Sequence, residues 1–395
     1  VNKMVFSVKT FNNINQLGLK ELGNEFQVDG ERSDNPDAFI IRSQNLHETV
    51  FPPNLKAIAR AGAGTNNIPI DEATAAGIVV FNTPGANANA VKEAVIAAIL
   101  MSARDYISAT AWTNTLKGED VPKQIEAGKK QFAGTEVRGK NLGVIGLGAI
   151  GARIANDARR IGMTVYGYDP YVSIEAAWNI SHHVRRVRDI KEIFANCDYI
   201  TIHVPLTEDT KNTFGADAFA LMQKGTTIIN FARAELVDNE ALFEAIETGV
   251  VKRYITDFGT EELLNKDKIT VFPHVGGSTA EAELNCAIMA SQEIRQFMET
   301  GEITHSVNFP NMHQALTAPY RITLINRNVP NIVAKISTAV SEVNINIDNI
   351  LNRSKGDYAY TILDLDETDK TKIKTLVDAF EANDNIIRVR LITKK

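Results

Sequence analysis

Two groups of residues in this chain have the types and spacing for chemistry. Gly146, Gly148 and Gly151 stand at the G-x-G-x-x-G spacing between an apolar run and the start of a helix, and Asp169 closes the next apolar run. The first glycine makes a tight turn, the second lets backbone approach a pyrophosphate, and the third lets helix pack closely on strand. Ala149 and Ile150 open the helix, whose unpaired N–H groups suit phosphate oxygens. A carboxylate at Asp169 accepts from ribose hydroxyls and repels a 2′-phosphate, which favours NAD over NADP. The second group is Arg233, Glu262 and His274, each in a loop just past an apolar run. They become neighbours only if a sheet brings those run ends to one edge, facing the nicotinamide end of a bound dinucleotide. Alone, each has a plain structural reading. A loop arginine is usually a solvated ion-pair partner, and Pro273-His274 before Gly276-Gly277 also reads as a turn.

The elements that must position these residues follow from the apolar pattern. Runs at 142–145, 164–168, 199–203, 226–230, 253–256 and 269–272 are nearly continuous, as in parallel strands covered on both faces. Upstream, runs at 4–8, 38–41, 55–59 and 78–81 alternate with polar helical stretches and predict a smaller parallel α/β unit. A long apolar helix at 87–106 needs burial, as between domains or at a subunit interface. A second long helix at 279–298 can return the chain to the first unit. The expected domains are a discontinuous one at 1–92 and 279–305, a dinucleotide-binding one at 93–278, a linker at 306–318 and a tail at 319–395. The tail has the rhythm strand 320–325, helix 331–343, strands 345–352 and 358–365, helix 371–382 and strand 386–392, a ferredoxin-like βαββαβ order. The fold class is therefore α/β: two doubly wound, parallel-sheet, Rossmann-like domains plus a ferredoxin-like tail.

Bulk numbers narrow the function classes. The 395 residues are 44% hydrophobic and 23% charged with a net charge of −6, ordinary for a globular protein of two or three domains. That acidity argues against a nucleic-acid or membrane surface, though not against a local basic pocket. No apolar stretch suggests a signal peptide or a membrane span, so a cytoplasmic location is expected. Cys197 and Cys286 are far apart and read as core thiols. His182 and His183 are expected to point apart, with no further ligands nearby, so no metal site is expected.

Four runs together carry a family resemblance: the glycine turn, His203-Val-Pro-Leu-Thr207, Asn230-Phe-Ala-Arg233 and the stretch from Pro273 to Thr279. Over residues 1 to about 310 the chain resembles the D-isomer-specific 2-hydroxyacid dehydrogenases. The stretches at 60–68 and 80–89, with the tail, narrow the resemblance to the branch that oxidises 3-phospho-D-glycerate to 3-phosphohydroxypyruvate. That reaction is the first step of L-serine biosynthesis, and the tail resembles an ACT regulatory domain. The resemblance implies that His274 takes the C2 hydroxyl proton, that Glu262 steadies its imidazole, and that Arg233 binds the substrate carboxylate. An imidazole's ordinary pKa, roughly 6.5, suits such transfer.

For NAD it implies contacts from Gly146, Gly148, Ala149, Ile150, Gly151, Asp169, His203, Pro205, Thr210, Phe231, Ala232, Arg233, Asp257, His274, Gly276 and Gly277. For the substrate it implies Arg42, Ser43, Arg60, Ala61, Gly62, Ala63, Gly64 and Asn82, with Lys129 and Lys130 as further cations for the phosphate. A serine effector would be held by Asn326, Asn328 and Asn346 with a neighbouring subunit, in a homodimer or homotetramer. Three departures stand out. Ala234 replaces the usual glycine after the arginine, Glu261 competes with Glu262, and Asn331 replaces a glycine in the tail. Two alternatives remain: another D-2-hydroxyacid such as 2-hydroxyglutarate as substrate, or a non-enzymatic NAD-sensing interaction protein.

Overall fold

The computed structural model describes residues 5–394, and its contacts divide the chain into two units. One unit takes the residues up to Ala86 together with those from Glu283 onward; the other is Asn87–Ala282. In the first unit, Phe6–Thr10 (β1), Phe26–Val28 (β2), Ala38–Ile41 (β3), Ala57–Arg60 (β4) and Val79–Asn82 (β5) form a parallel sheet in the order β2-β1-β3-β4-β5. This is the flavodoxin-type doubly wound order. Alternate side chains separate cleanly: Val8, Ile40, Ala59 and Phe81 enter one core, while Phe39, Ile41, Ile58 and Val80 enter another on the opposite face. Short β2 has no comparable apolar run and was not expected. The expected strand at 4–8 begins at Phe6, and Met4 lies outside the described residues.

The returning helix is Ala280–Thr300, and it sends Cys286, Ala287, Ala290, Ile294, Phe297 and Met298 into the first of those cores. The stretch 306–318, expected as a linker, is instead packed. Asn308 Oδ1 accepts from Val80 N at 2.9 Å, its Nδ2 donates to Ile78 O at 2.8 Å, and Phe309 and Met312 are buried. Buried apolar side chains and a satisfied amide make a strap, which the prolines and glycine around it concealed.

The tail has the expected βαββαβ order. Tyr320–Arg327 (β13), Asn346–Lys355 (β14), Tyr358–Asp366 (β15) and Ile386–Thr393 (β16) form an antiparallel sheet in the order β14-β15-β13-β16. Helices Ile332–Glu342 and Lys370–Glu381 share a core with one face of it. From its other face Ile325, Tyr360 and Ile362 join the first unit's core. Tyr360 Oη donates to Gly301 O at 2.7 Å, and Arg390 donates to the terminal carbonyls of Phe297 and Met298. The tail therefore groups with the first unit rather than standing apart.

In the second unit, Asn141–Ile145 (β6), Thr164–Tyr168 (β7), Arg185–Arg186 (β8), Tyr199–Ile202 (β9), Thr226–Asn230 (β10), Val251–Thr256 (β11) and Ile269–Val271 (β12) form one parallel sheet, ordered β12-β11-β10-β9-β6-β7-β8. The order reverses between β6 and β9, where doubly wound sheets bind their ligands. Helix Ala88–Arg104 buries Val91, Val95, Ala98 and Ile99 against this sheet. It stops two residues short of the expected end, at Arg104 rather than 106. Asp105 is left-handed, and its carboxylate meets Arg253 Nη2 at 2.8 Å before Tyr106–Thr113 resumes as a second helix. Among the described residues no single helix is long and apolar enough to cross a membrane.

Candidate active site

The glycine turn is built as its spacing requires. Gly146 has φ +87°, and a Cβ there would lie 2.4 Å from His203 O; a Cβ on Gly151 would lie 1.9 Å from Gly146 O. Neither place tolerates a side chain. Gly148 differs, since a Cβ there would meet nothing within 4 Å, so the turn faces open space at that point. Asp169 is tied to the same turn: Leu147 N donates to its Oδ2 and Tyr171 N to its Oδ1, both at 2.8 Å. Ala149 and Ile150 begin helix Ala149–Arg160, as expected.

All seven strands run parallel, so their C-terminal ends share one edge. Past β9 comes His203, whose Nε2 shares a 2.8 Å hydrogen bond with Thr201 Oγ1. Burial pushes its imidazole down to about 3, and its Nδ1 is buried without a partner. Thr210 Oγ1 donates to Pro205 O at 2.7 Å and closes that loop. Past β10, Phe231 packs edge-on to Phe272 with centroids 6.1 Å apart. Buried Asn230 shapes the next turn: its Oδ1 accepts from Ala232 N and Arg233 N, and its Nδ2 donates to Arg233 O at 2.7 Å. Arg233 is thereby left exposed, with Nη1 on Ala232 O at 2.6 Å. Ala234 opens a 3-10 turn and is not among the positive-φ residues, so its methyl group is harmless there.

Past β11 comes Asp257, 5% exposed, with Oδ1 lacking any partner. Burial raises its carboxyl, while the His274 and Arg233 charges oppose that rise. Past β12, His274 packs edge-on against Phe258 at 4.8 Å. A Cβ on Gly276 would lie 3.3 Å from Asp257 Oδ2, and one on Gly277 would lie 2.6 Å from Asn87 Nδ2, so both glycines admit close neighbours. The strand order β12-β11-β10 sets Asp257 between the loops that carry His274 and Arg233. Glu262 does not join them: it is exposed, and its Oε1 accepts a hydrogen bond from Asn239 Nδ2. No hydrogen bond joins it to His274 among the described residues.

The first unit builds its own edge. Arg42, Ser43 and Gln44 follow β3, and their three N–H groups converge on Asn12 Oδ1. Arg60 Nε donates to Arg42 O at 3.2 Å. At Gly62, with φ +150°, a Cβ would lie 1.8 Å from Arg60 Nη1, so a side chain there displaces the Arg60 guanidinium. Asn82 Nδ2 donates to Ala63 O at 2.6 Å, and Thr83 N to Gly62 O at 3.1 Å, which shapes the loop of Ala61, Gly62, Ala63 and Gly64. Burial lowers the Arg60 guanidinium, Cys286 opposing and Arg42 adding to it. Lys129 and Lys130 lie exposed in the second unit, with Lys129 Nζ on Glu126 at 2.5 Å.

In the tail, Asn326 is fully buried. Its Nδ2 donates to Arg327 O and its Oδ1 accepts from Thr361, so its amide is used inside the sheet. Asn328 is exposed beside Gly356. Asn346 is exposed at the other end of β15, opposite Asp366, whereas Asn326 stands opposite Ala359. Seven residues of strand separate them, roughly 24 Å at 3.4 Å per residue. One chain alone does not bring the three asparagines together. Asn331 takes φ +63°, a left-handed conformation asparagine accepts, so the glycine it replaces is not needed for the turn. His182 and His183, expected to point apart, have ring centroids only 3.8 Å apart, yet no metal-binding group of three is found among the described residues. Both cysteines are buried and free, and burial pushes the Cys197 thiol up to about 12.

Asn12 and Glu283 at the first unit's edge, and Asn239 beside Glu262 in the second, have no motif to announce them. Asn12 takes a left-handed φ of +68° just past β1.

Residues 96–276 match the model for the D-isomer specific 2-hydroxyacid dehydrogenase NAD binding domain. The D-3-phosphoglycerate dehydrogenase of Methanocaldococcus jannaschii is 39% identical over 267 residues, covering 66% of this chain and 49% of that protein. The enzyme of that name from Haemophilus influenzae is 30% identical over 358 residues, covering 86% of this chain and 82% of that protein. The chain spans about half the length of several curated relatives. NAD+-bound 3-phosphoglycerate dehydrogenase from Entamoeba histolytica superposes with a TM-score of 0.58 at 27% identity, covering 77% of this chain and 99% of that one.

Proposed function

We propose that this chain, which belongs to the D-isomer-specific 2-hydroxyacid dehydrogenase family, is an NAD-dependent dehydrogenase that oxidises 3-phospho-D-glycerate to 3-phosphohydroxypyruvate. One observation carries the reading: buried Asp257, its Oδ1 unpartnered, stands between the strand ends that lead to Arg233 and His274, at the same sheet edge as a glycine turn tied to Asp169. The donor set fits NAD. Open space at Gly148 suits a pyrophosphate, the Asp169 carboxylate suits a ribose, and the unpartnered Asp257 Oδ1 suits a carboxamide N–H. Gly146, Ala149, Ile150, Gly151, His203, Pro205, Thr210, Phe231, Ala232, Gly276 and Gly277 would line the rest of its path. When bound, NAD supplies the hydride acceptor.

The chain's own residues would do the remaining work. His274 would take the C2 hydroxyl proton and return it in the reverse direction. Arg233 would hold the substrate carboxylate and the oxygen at C2 with its planar donor fork. Glu262 would steady the His274 imidazole after leaving Asn239. In the first unit, the loop of Ala61, Gly62, Ala63 and Gly64, with Ser43 and Asn82, would cradle the substrate. Arg42 and Arg60 would meet its phosphate, with Lys129 and Lys130 as weaker candidates.

The test is NADH formation by the purified chain with 3-phospho-D-glycerate, run beside D-glycerate, D-lactate and D-2-hydroxyglutarate. Clear preference for the phosphorylated acid supports the assignment, and equal turnover of the others overturns the phosphate specificity. We also propose serine as an inhibitor held at Asn328 and Asn346 of different subunits of a homodimer or homotetramer, with Asn326 supporting the sheet behind them. A flat response of turnover to millimolar serine would remove that role.

A further inference from the structure

Arg42 is already neutralised by its own chain. Its Nη2 lies 2.8 Å from Oε1 of Glu283, at the start of the returning helix, and both side chains are about two-fifths exposed, 38% and 42%. Arg60, whose Nε rests on Arg42 O, has no ion-pair partner among the described residues. Cys286, one turn beyond Glu283, stays a neutral thiol because burial pushes it up. The edge therefore carries two guanidinium charges against one carboxylate.

We propose that Glu283 is a competing counter-ion that sets how strongly this site prefers a phosphate-bearing substrate. A phosphomonoester brings about −1.5 to −2 charges at neutral pH. To reach both guanidinium groups it must displace the Glu283 carboxylate from Arg42, and until it does, that carboxylate repels it. A substrate without the phosphate needs no such displacement. Glu283 thus lowers phosphate affinity selectively, and it holds Arg42 in a paired state while the site is empty. This assignment rests on the reading of a phosphorylated hydroxyacid as substrate.

The test titrates inorganic phosphate into the full chain by calorimetry, comparing wild type with Glu283→Gln and Glu283→Asp. Half-exposed ion pairs correspond to factors of up to about five in an equilibrium constant. Glu283→Gln is expected to bind phosphate about fivefold more tightly. Its KM for 3-phospho-D-glycerate should fall by a similar factor, while its KM for D-glycerate moves less than twofold. Glu283→Asp keeps the charge and should bind phosphate like wild type. Unchanged or weaker phosphate binding in Glu283→Gln, or an equal gain in both variants, overturns the proposal. If wild type fails to oxidise 3-phospho-D-glycerate, the substrate reading falls on its own, and the phosphate titration still decides the role of Glu283.

Discussion

Asn239 Nδ2 donates a hydrogen bond to Oε1 of Glu262, so the Glu262 carboxylate is paired at the start of helix Asn239–Glu247. Catalytic hydrogen bonds are often absent before substrate binds and form in the ternary complex. If Glu262 makes that move, Glu262→Gln should lower kcat by about ten- to a hundredfold, less than the roughly 10²- to 10⁴-fold that the acid–base group itself contributes. Glu261→Gln should stay near wild type. Steady-state rates at saturating NAD decide between the two carboxylates; an equal loss in both, or in neither, would remove Glu262 from its supporting role.

His274→Ala should cost about 10²- to 10⁴-fold in kcat, the usual contribution of a general acid–base group. His274 is exposed and packs edge-on against Phe258, so the fold should survive the change. NAD affinity, followed by fluorescence titration, should stay near wild type. A variant that keeps its turnover would remove the proton-transfer role.

Gly62→Ala addresses the first unit. The residue sits at φ +150°, and a methyl group would lie 1.8 Å from Arg60 Nη1. The Arg60 guanidinium must move, so KM for the phosphorylated substrate should rise about tenfold, equivalent to about 1.4 kcal/mol. An unaltered KM would show that Arg60 does not contact the substrate.

Glu293 gives a pH dependence of stability. It is 5% exposed, its Oε1 lies 2.9 Å from His305 Nδ1, and burial pushes its carboxyl up to about 9. Burial also lowers the His305 imidazole, with His313 adding to the effect, so the two groups form a neutral hydrogen-bonded pair rather than an ion pair. A carboxyl raised on folding contributes stability that is complete below its unfolded value. That contribution is lost as pH rises toward the folded value. Wild type should therefore lose stability between about pH 5 and 9 relative to Glu293→Gln. Melting curves should show the variant gaining on the order of 1–3 kcal/mol over wild type at pH 8 and little at pH 5. A gap that does not change with pH would show that Glu293 is ionised in the native state.

Arg321 and Asp364 form a bidentate pair with both side chains 0% exposed, at 2.6 and 2.8 Å. Arg321 also donates to Thr300 O and Ala315 O. Asp364→Ala leaves a buried guanidinium unpaired and should cost about 3–5 kcal/mol in chemical denaturation. A loss under about 1 kcal/mol would mean that water or a new partner reaches the site.

The sequence alone determined the two parallel sheets, the βαββαβ tail, the glycine turn with Asp169, and the placing of Arg233 and His274 past strand ends of one sheet. These are local properties. Apolar runs of strand length specify buried strands, glycines mark backbone that no Cβ can occupy, and parallel strands necessarily gather their C-terminal ends at one edge. Tertiary structure decided what depends on long-range pairing of polar side chains. Nothing near Glu262 in sequence points to Asn239, nothing near Arg42 points to Asn12 or Glu283, and nothing around Asn308 shows that its stretch is a packed strap. Asn326 read as a ligand contact because its motif position suited one, yet the strand pairing buried its amide against Thr361. Polar side chains carry no periodic signature of their partners, so their hydrogen bonds become visible only once the chain has folded.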